Sequence, residues 1–134
     1  MLNLSTITVI TSATVEIKHP LTKAPLGAFI EIAGPEHPER KKLIFDRQRR
    51  LRATFAKKGR IDFADPVADV EEETELLVDC TIGWKGIGDG KTETPFTKAA
   101  AREIYTDPKL AWLRDQVKAE MDNQENFIQD SETN

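Results

Sequence analysis

The sequence has little of what disulfide-rich, membrane-spanning or secreted proteins need. Its 134 residues include a single cysteine, Cys80, so no disulfide can form within the chain, as is typical of a reducing compartment. No stretch approaches the ~18 apolar residues of a membrane span. The first basic residue is Lys18, so the early positive charge of a secretory signal is missing. We therefore expect a soluble, cytoplasmic protein with no membrane partner.

Residues that carry catalysis or hold metals are also scarce. The two histidines, His19 and His37, each precede a proline, and no pair of candidate ligands has a metal-binding spacing. Cys80 falls on an apolar helical stripe, which favours a small core residue over a nucleophile. We therefore expect no enzyme activity, no metal and no cofactor.

The glycine-rich segment 83–94 invites a nucleotide-binding interpretation. A phosphate-binding loop of the G-x-x-x-x-G-K-[ST] type needs a glycine five residues before Gly90, and Lys85 stands there. That motif also follows a strand and opens a helix. Here a helical pattern precedes the segment. Pro95 stands within the helix that would have to follow the loop, where it would remove a backbone amide donor. The pattern therefore predicts a flexible turn.

The length and residue pattern of the chain predict one α+β domain over residues 1–128, followed by a disordered polar tail over residues 129–134. Hydrophobic residues make up 39% and charged residues 31%, which is enough for one core at this length. Apolar and polar residues alternate over residues 7–17, which predicts one or two strands. A further strand fits residues 27–33, so we expect an antiparallel hairpin or small sheet.

About four helices are predicted after these strands. The first covers residues 39–58, where Ile44, Leu51 and Phe55 recur at helical spacing, and Gly59 is a suitable residue to end it. The other three are predicted at residues 66–84, 97–106 and 108–122.

Charge is strongly segregated between two neighbouring parts of the chain. Residues 40–60, the basic segment, contain ten Lys and Arg against one acid, whereas residues 62–79, the acidic segment, contain eight acids and no base. This pattern predicts an antiparallel helix pair joined by ion pairs, each adding about 0–1 kcal/mol. It also fits docking of a charged client or of a second copy, that is, a homo-oligomer.

The basic segment raises a third interpretation, a nucleic-acid-binding regulator that uses Arg47, Arg50 and Arg52. The adjacent acidic segment repels phosphates, and the net charge of the chain is −4. We therefore expect no nucleic acid among the partners.

Large aromatic residues concentrate in the last third of the chain, where they are either core or contact residues. Phe127 and Ile128 follow the last predicted helix, so Phe127 either marks an exposed contact or folds back onto that helix. The candidate partner-binding residues are Arg47, Arg50, Trp84, Phe96, Trp112, Phe127 and Ile128.

The order of several short motifs resembles the tail assembly chaperones of long-tailed bacteriophages. The similarity covers residues 15–128. It begins with Val-Glu-Ile-Lys-His-Pro at 15–20 and Ile-Glu-Ile-Ala-Gly-Pro-Glu at 30–36, which leads into the basic segment. It continues through the motifs Trp-Lys-Gly-Ile (84–87), Asp-Gly-Lys (89–91), Pro-Phe-Thr (95–97), Asp-Pro (107–108), Trp-Leu-Arg-Asp-Gln-Val (112–117) and Asn-Phe-Ile (126–128).

This resemblance implies a non-structural protein of the bacterial host cytoplasm that is absent from the mature virion. It implies two partners: the long helical tape measure protein, which the chaperone keeps soluble, and the tail tube protein, whose subunits it helps to recruit. The family has no catalytic motif to carry over. A structural neck or tail-completion protein of the virion is the alternative within the same setting.

Overall fold

Every strand pairing in the described part of the chain is antiparallel. The computed structural model describes residues 1–58 and 66–130. A three-stranded sheet has the order β2-β3-β4. A separate two-stranded sheet pairs the first and last strands. The strands are β1 (Ile7–Val9), β2 (Ser12–Lys18), β3 (Pro25–Ala33), β4 (Thr81–Lys85) and β5 (Ile128–Asp130).

Four α-helices accompany the sheets, so the predicted α+β class is confirmed. They are α1 (Pro38–Lys58), α2 (Pro66–Cys80), α3 (Lys98–Thr106) and α4 (Ala111–Asp122). Single turns of 3₁₀ helix precede and follow α4, at Pro108–Leu110 and Gln124–Phe127. Gly59, the expected end of the first helix, lies outside the described residues.

The predicted hairpin is formed by β2 and β3, and its alternation decides which face is buried. Val15 lies opposite Ile30 and Ile17 opposite Ala28. All four side chains are buried, because successive residues of a strand point to opposite faces and these four share one face. This face of the sheet is therefore the floor of the core.

Helix α4 contacts β2 and β3, α3 packs against α2 and α4, and α2 also contacts β4. The helices contribute residues that are at most 6% exposed to a core shared with the strands: Leu77, Val78, Cys80, Ala101, Tyr105, Leu113, Val117 and Met121. Cys80 is fully buried, as predicted, and this burial raises the pKa of its thiol.

The predicted helix over 66–84 is wrong at its end, because α2 stops at Cys80 and Thr81–Lys85 forms β4. Trp84 lies opposite Ile30, so these residues complete the second edge of β3. The ammonium of Lys98 donates to the carbonyls of Val78, Asp79 and Thr81 at 3.2, 2.8 and 2.7 Å. Carbonyls at a helix end lack partners within the helix, and a cation there also favours the helix dipole. Lys98 from α3 therefore stabilises the end of α2.

The expected tail is also corrected. Gln129 and Asp130 belong to β5, where they pair with Thr8 and Ile7. Strand β5 has only three residues, and its hydrogen-bonding partner is β1, more than a hundred residues earlier in the chain. Residues 131–134 lie outside the described part of the chain.

Tyr105 provides a spectroscopic test of this core. Its hydroxyl lies 2.9 Å from the Thr81 hydroxyl, which also donates to the Leu77 carbonyl at 2.8 Å. Burial raises the pKa of Tyr105 to about 12, because the phenolate cannot be solvated there.

We expect the only tyrosine of the chain to ionise near pH 12 in the folded protein and near pH 10 in denaturant. Because the pKa of Tyr105 is higher in the folded than in the unfolded chain, the contribution of this group to stability is fully present below pH ~10 and is lost as the pH rises towards 12. Near-ultraviolet absorbance of tyrosinate, followed with and without urea, checks this. Ionisation of the folded protein near pH 10 would contradict the buried placement.

Candidate partner-binding surface

Helix α1 is anchored to the domain near its first turn. The Arg40 guanidinium donates to the carbonyl of Ala33, at 3.1 Å, and to that of Met121 in the last turn of α4, at 3.4 Å. Leu43 is half-buried against the core. Beyond this point most side chains of α1 are exposed, so the 21-residue helix presents much of its length to solvent.

The apolar residues that predicted α1 are exposed. Ile44, Leu51 and Phe55, here called the α1 stripe, retain 39%, 41% and 53% of their exposure, and neighbouring Phe45 retains 65%. Residues spaced by three to four and seven positions share one side of a helix. Arg47 and Gln48 stand between Ile44 and Leu51 on this side. Exposed apolar side chains aligned on a charged helix are nevertheless candidates for a contact surface.

A cleft of about 1080 Å³ separates α1 from α2, and we call it the α1–α2 cleft. Its apolar lining consists of Leu43, Ile44 and Leu51 from α1 and Leu76 from α2. Two of the sequence-predicted residues lie here, because Arg47 and Arg50 also line the cleft. The α1 stripe therefore continues from the cleft onto the exposed surface at Phe55.

Ion pairs connect the acidic helix to three neighbours. Glu72 of α2 pairs with Arg47 and Arg50 of α1, at 3.3 and 3.7 Å. Among the described residues, the predicted ionic contact between the basic and acidic helices is therefore present through the carboxylate of Glu72. Because Arg47 and Arg50 are engaged with a carboxylate, they are less suited to bind phosphates.

Two other carboxylates of α2 turn towards α3 and α4. Glu75 accepts hydrogen bonds from Arg102 at 2.7 and 3.0 Å, and Glu73 accepts one from Lys118 at 2.7 Å. These bonds lower the pKa of both carboxyl groups. The charges of α2 therefore fix its neighbours in place as well as forming a wall of the cleft.

A second cavity, of about 540 Å³, lies between the hairpin and the α3–α4 connection. Ile17, Ala28, Ile104 and Leu113 supply apolar walls, and the candidate residue Trp112 lines it as well. Trp112 is half-buried, so it covers part of the core while leaving some of its ring accessible.

Trp84 and Phe96 form a pair that orders the glycine-rich segment. Their rings meet edge to face with centroids 5.0 Å apart, and the Trp84 indole donates to the Thr94 carbonyl at 2.8 Å. Both are partly buried against the core. Their contacts with one another and with the loop account for these residues without a partner.

The glycine-rich segment begins within strand β4, whose last three residues are 83–85, which corrects the expectation that a helix precedes it. No helix directly follows Gly90, since α3 begins at Lys98. The Asp89 carboxylate accepts from the amides of Lys91 and Thr92 at 2.9 and 2.8 Å, and these bonds lower its pKa. This is a side-chain-capped turn, so the predicted turn is present, while its flexibility stays a prediction.

Phe127 and Ile128 have opposite surroundings. Phe127 is 1% exposed, whereas Ile128 in β5 is 48% exposed. Of the two alternatives left open by the sequence, Phe127 takes the buried one. The candidate residues are thus divided among the cleft, the second cavity, the loop pair, the core and β5.

Comparison of the chain with protein families, curated proteins and solved structures finds no match in any of the three. Within residues 1–58 and 66–130, no helix is long and apolar enough to cross a membrane. The same residues contain no group of three or more His, Cys, Asp or Glu side chains arranged to hold a metal ion. The candidate surface consists of the α1–α2 cleft and the α1 stripe, which bring exposed apolar side chains together with Arg47 and Arg50.

Proposed function

We propose that this protein is a bacteriophage tail assembly chaperone that binds the tape measure protein and keeps it soluble. The observation that carries the proposal is the α1 stripe, an exposed apolar strip on a highly charged helix beside an open cleft. Amphipathic helices commonly bind by laying their apolar face into such a groove. A long helical protein that aggregates through apolar stripes is the kind of client that this surface suits.

The order of sequence motifs supplies the biological setting. On that basis we propose that the protein acts in the host cytoplasm, helps to recruit tail tube subunits and is absent from the mature virion. Many weak contacts with one long client add up through avidity, so no single tight site is needed. A shallow cleft with a partly exposed lining fits this mode of binding.

Co-expression with a fragment of the tape measure protein tests the proposal. We expect the fragment to shift from the insoluble to the soluble fraction and to co-elute with the chaperone in size-exclusion chromatography. An unrelated helical protein of similar length and charge, co-expressed with the same fragment, is the control. An insoluble fragment in both samples would contradict the proposal.

Mass spectrometry of purified virions separates this function from its structural alternative. A chaperone is expected to be absent or far below the copy number of the tail proteins. A stoichiometric amount in washed particles would instead support a neck or tail-completion protein.

A further inference from the structure

The length of the α1 stripe defines the shape of what can bind to it. Ile44 and Phe55 are eleven positions apart, so at about 1.5 Å per residue the stripe extends for roughly 16 Å, or three helical turns. Leu76 of α2 adds an apolar contact on the other side of the cleft. A long, narrow apolar strip of this kind fits the side of one α-helix.

The two borders of the strip carry opposite charges. On the α2 side, Glu71 and Asp79 line the cleft beside Glu72 and Glu75, whose carboxylates already pair with arginines. Acids therefore outnumber bases along this border. On the other side, helical spacing places Lys41 three residues before Ile44 and Arg52 three residues before Phe55. Both cations are exposed, and Lys41 also pairs with Glu36. An occupant that complements both borders needs basic residues facing α2 and acidic residues facing the outer side of α1.

Helices α1 and α2 of a second copy lack that complementarity. Helix α1 carries nine basic and two acidic residues, so two α1 helices lying side by side would bring like charges together. Helix α2 has the opposite charge, but Leu77, Val78 and Cys80 on its apolar side are already buried in the core. As an occupant of the cleft of another copy, neither helix therefore supplies, in its described side chains, a free apolar strip with one basic and one acidic edge.

We propose that the α1–α2 cleft binds one amphipathic helix of the client, with an apolar strip between a basic edge and an acidic edge. This rests on the proposed chaperone function and specifies which client segments it selects. If the bound helix is turned end to end while its apolar side still faces the cleft, its basic and acidic edges change places. Because the two borders of the cleft differ in charge, we expect such a helix to bind in one direction only.

Three synthetic peptides test the charge rule. All share one length and one leucine strip; the first has a glutamate edge and a lysine edge, the second two glutamate edges, and the third two lysine edges. We expect the first peptide to bind at least about tenfold more tightly than the other two in fluorescence anisotropy at low salt. Equal affinity of the three peptides, or no binding of the first, would overturn the proposal.

A matched pair of substitutions in α1 tests the location. Leu51→Glu puts a charge on the stripe, whereas Ala53→Glu puts the same side chain on the other side of the helix, outside the cleft lining. Both positions are exposed, so both variants should keep the melting temperature of the unmodified protein. We expect Leu51→Glu to weaken binding of the mixed-edge peptide at least about tenfold and Ala53→Glu to leave it unchanged.

The outcomes separate this proposal from the chaperone function. If Leu51→Glu still retains the tape measure fragment as well as the unmodified protein, the cleft is not the binding site although the chaperone function stands. If the mixed-edge peptide binds at the cleft but no tape measure fragment is retained, the cleft stands and the chaperone function fails. Dimers of the chain alone that Leu51→Glu dissociates, seen in sedimentation velocity, would make a second copy the occupant and overturn the proposal.

Discussion

Replacing Phe127 with alanine is expected to destabilise the protein by about 3–5 kcal/mol, the usual cost of removing a buried aromatic ring. Phe127 is 1% exposed, and its ring packs directly on the backbone of Gly34. A Cβ atom on Gly34 would stand 2.6 Å from Cδ1 of Phe127, so no other residue fits there without displacing the ring. The backbone carbonyl of Phe127 also accepts the amide of Ile10, at 2.8 Å.

Thermal and urea denaturation measure this effect. For a domain of this size, a loss of that order lowers the melting temperature by about 10–15 °C. Ile128→Ala is the matched control, because the neighbouring side chain is 48% exposed and its removal should cost under about 1 kcal/mol. A Phe127→Ala variant as stable as the control would return Phe127 to the role of a contact residue, which the sequence left open.

Gly86→Ala is expected to cost about 3 kcal/mol or more, through two separate effects. Gly86 has a φ of +74°, where an L side chain costs about 1–2 kcal/mol. A Cβ atom there would also lie 2.1 Å from the Gly27 carbonyl oxygen, and this neighbour is backbone that cannot rotate away. Strand β3, which contains Gly27 and forms the centre of the three-stranded sheet, would have to move.

Gly27→Ala isolates the first effect. Gly27 has nearly the same φ, +73°, but nothing lies within 4 Å of the position that a Cβ atom would take there. We expect this variant to lose only about 1–2 kcal/mol in urea denaturation. If both variants lose the same amount, the close approach of Gly86 to β3 contributes nothing to stability.

The helices and the hairpin could be predicted because their signals are local. Alternation in β2 and β3, and the Thr97 side chain that accepts the amide of Ala100 at the start of α3, depend on nearby residues. Strand β4 was missed because Cys80 and Trp84 are also spaced as on a helix. What makes Thr81–Lys85 a strand is the free edge of β3, which is distant in sequence.

The candidate site was only partly predictable, for a similar reason. Helical spacing identifies the side of α1 that carries Ile44, Leu51 and Phe55, but the same spacing is typical of a buried side. Whether these three side chains are exposed depends on how far α1 extends beyond its anchor at Arg40, which cannot be predicted from the local sequence. Phe127 shows the opposite case: its neighbours in sequence are polar, which suggests exposure, but its ring is buried against the backbone of Gly34.

Pairing of β1 with β5 has a topological consequence. Because Ile7 lies opposite Asp130, strands β1 and β5 place residues 7 and 130 side by side, with paired α-carbons only about 4.5–5.5 Å apart. If residues 7–130 were inserted into a surface turn of another protein, the two points of attachment could therefore lie close together. Helix α1 would then be displayed on the surface of the host protein.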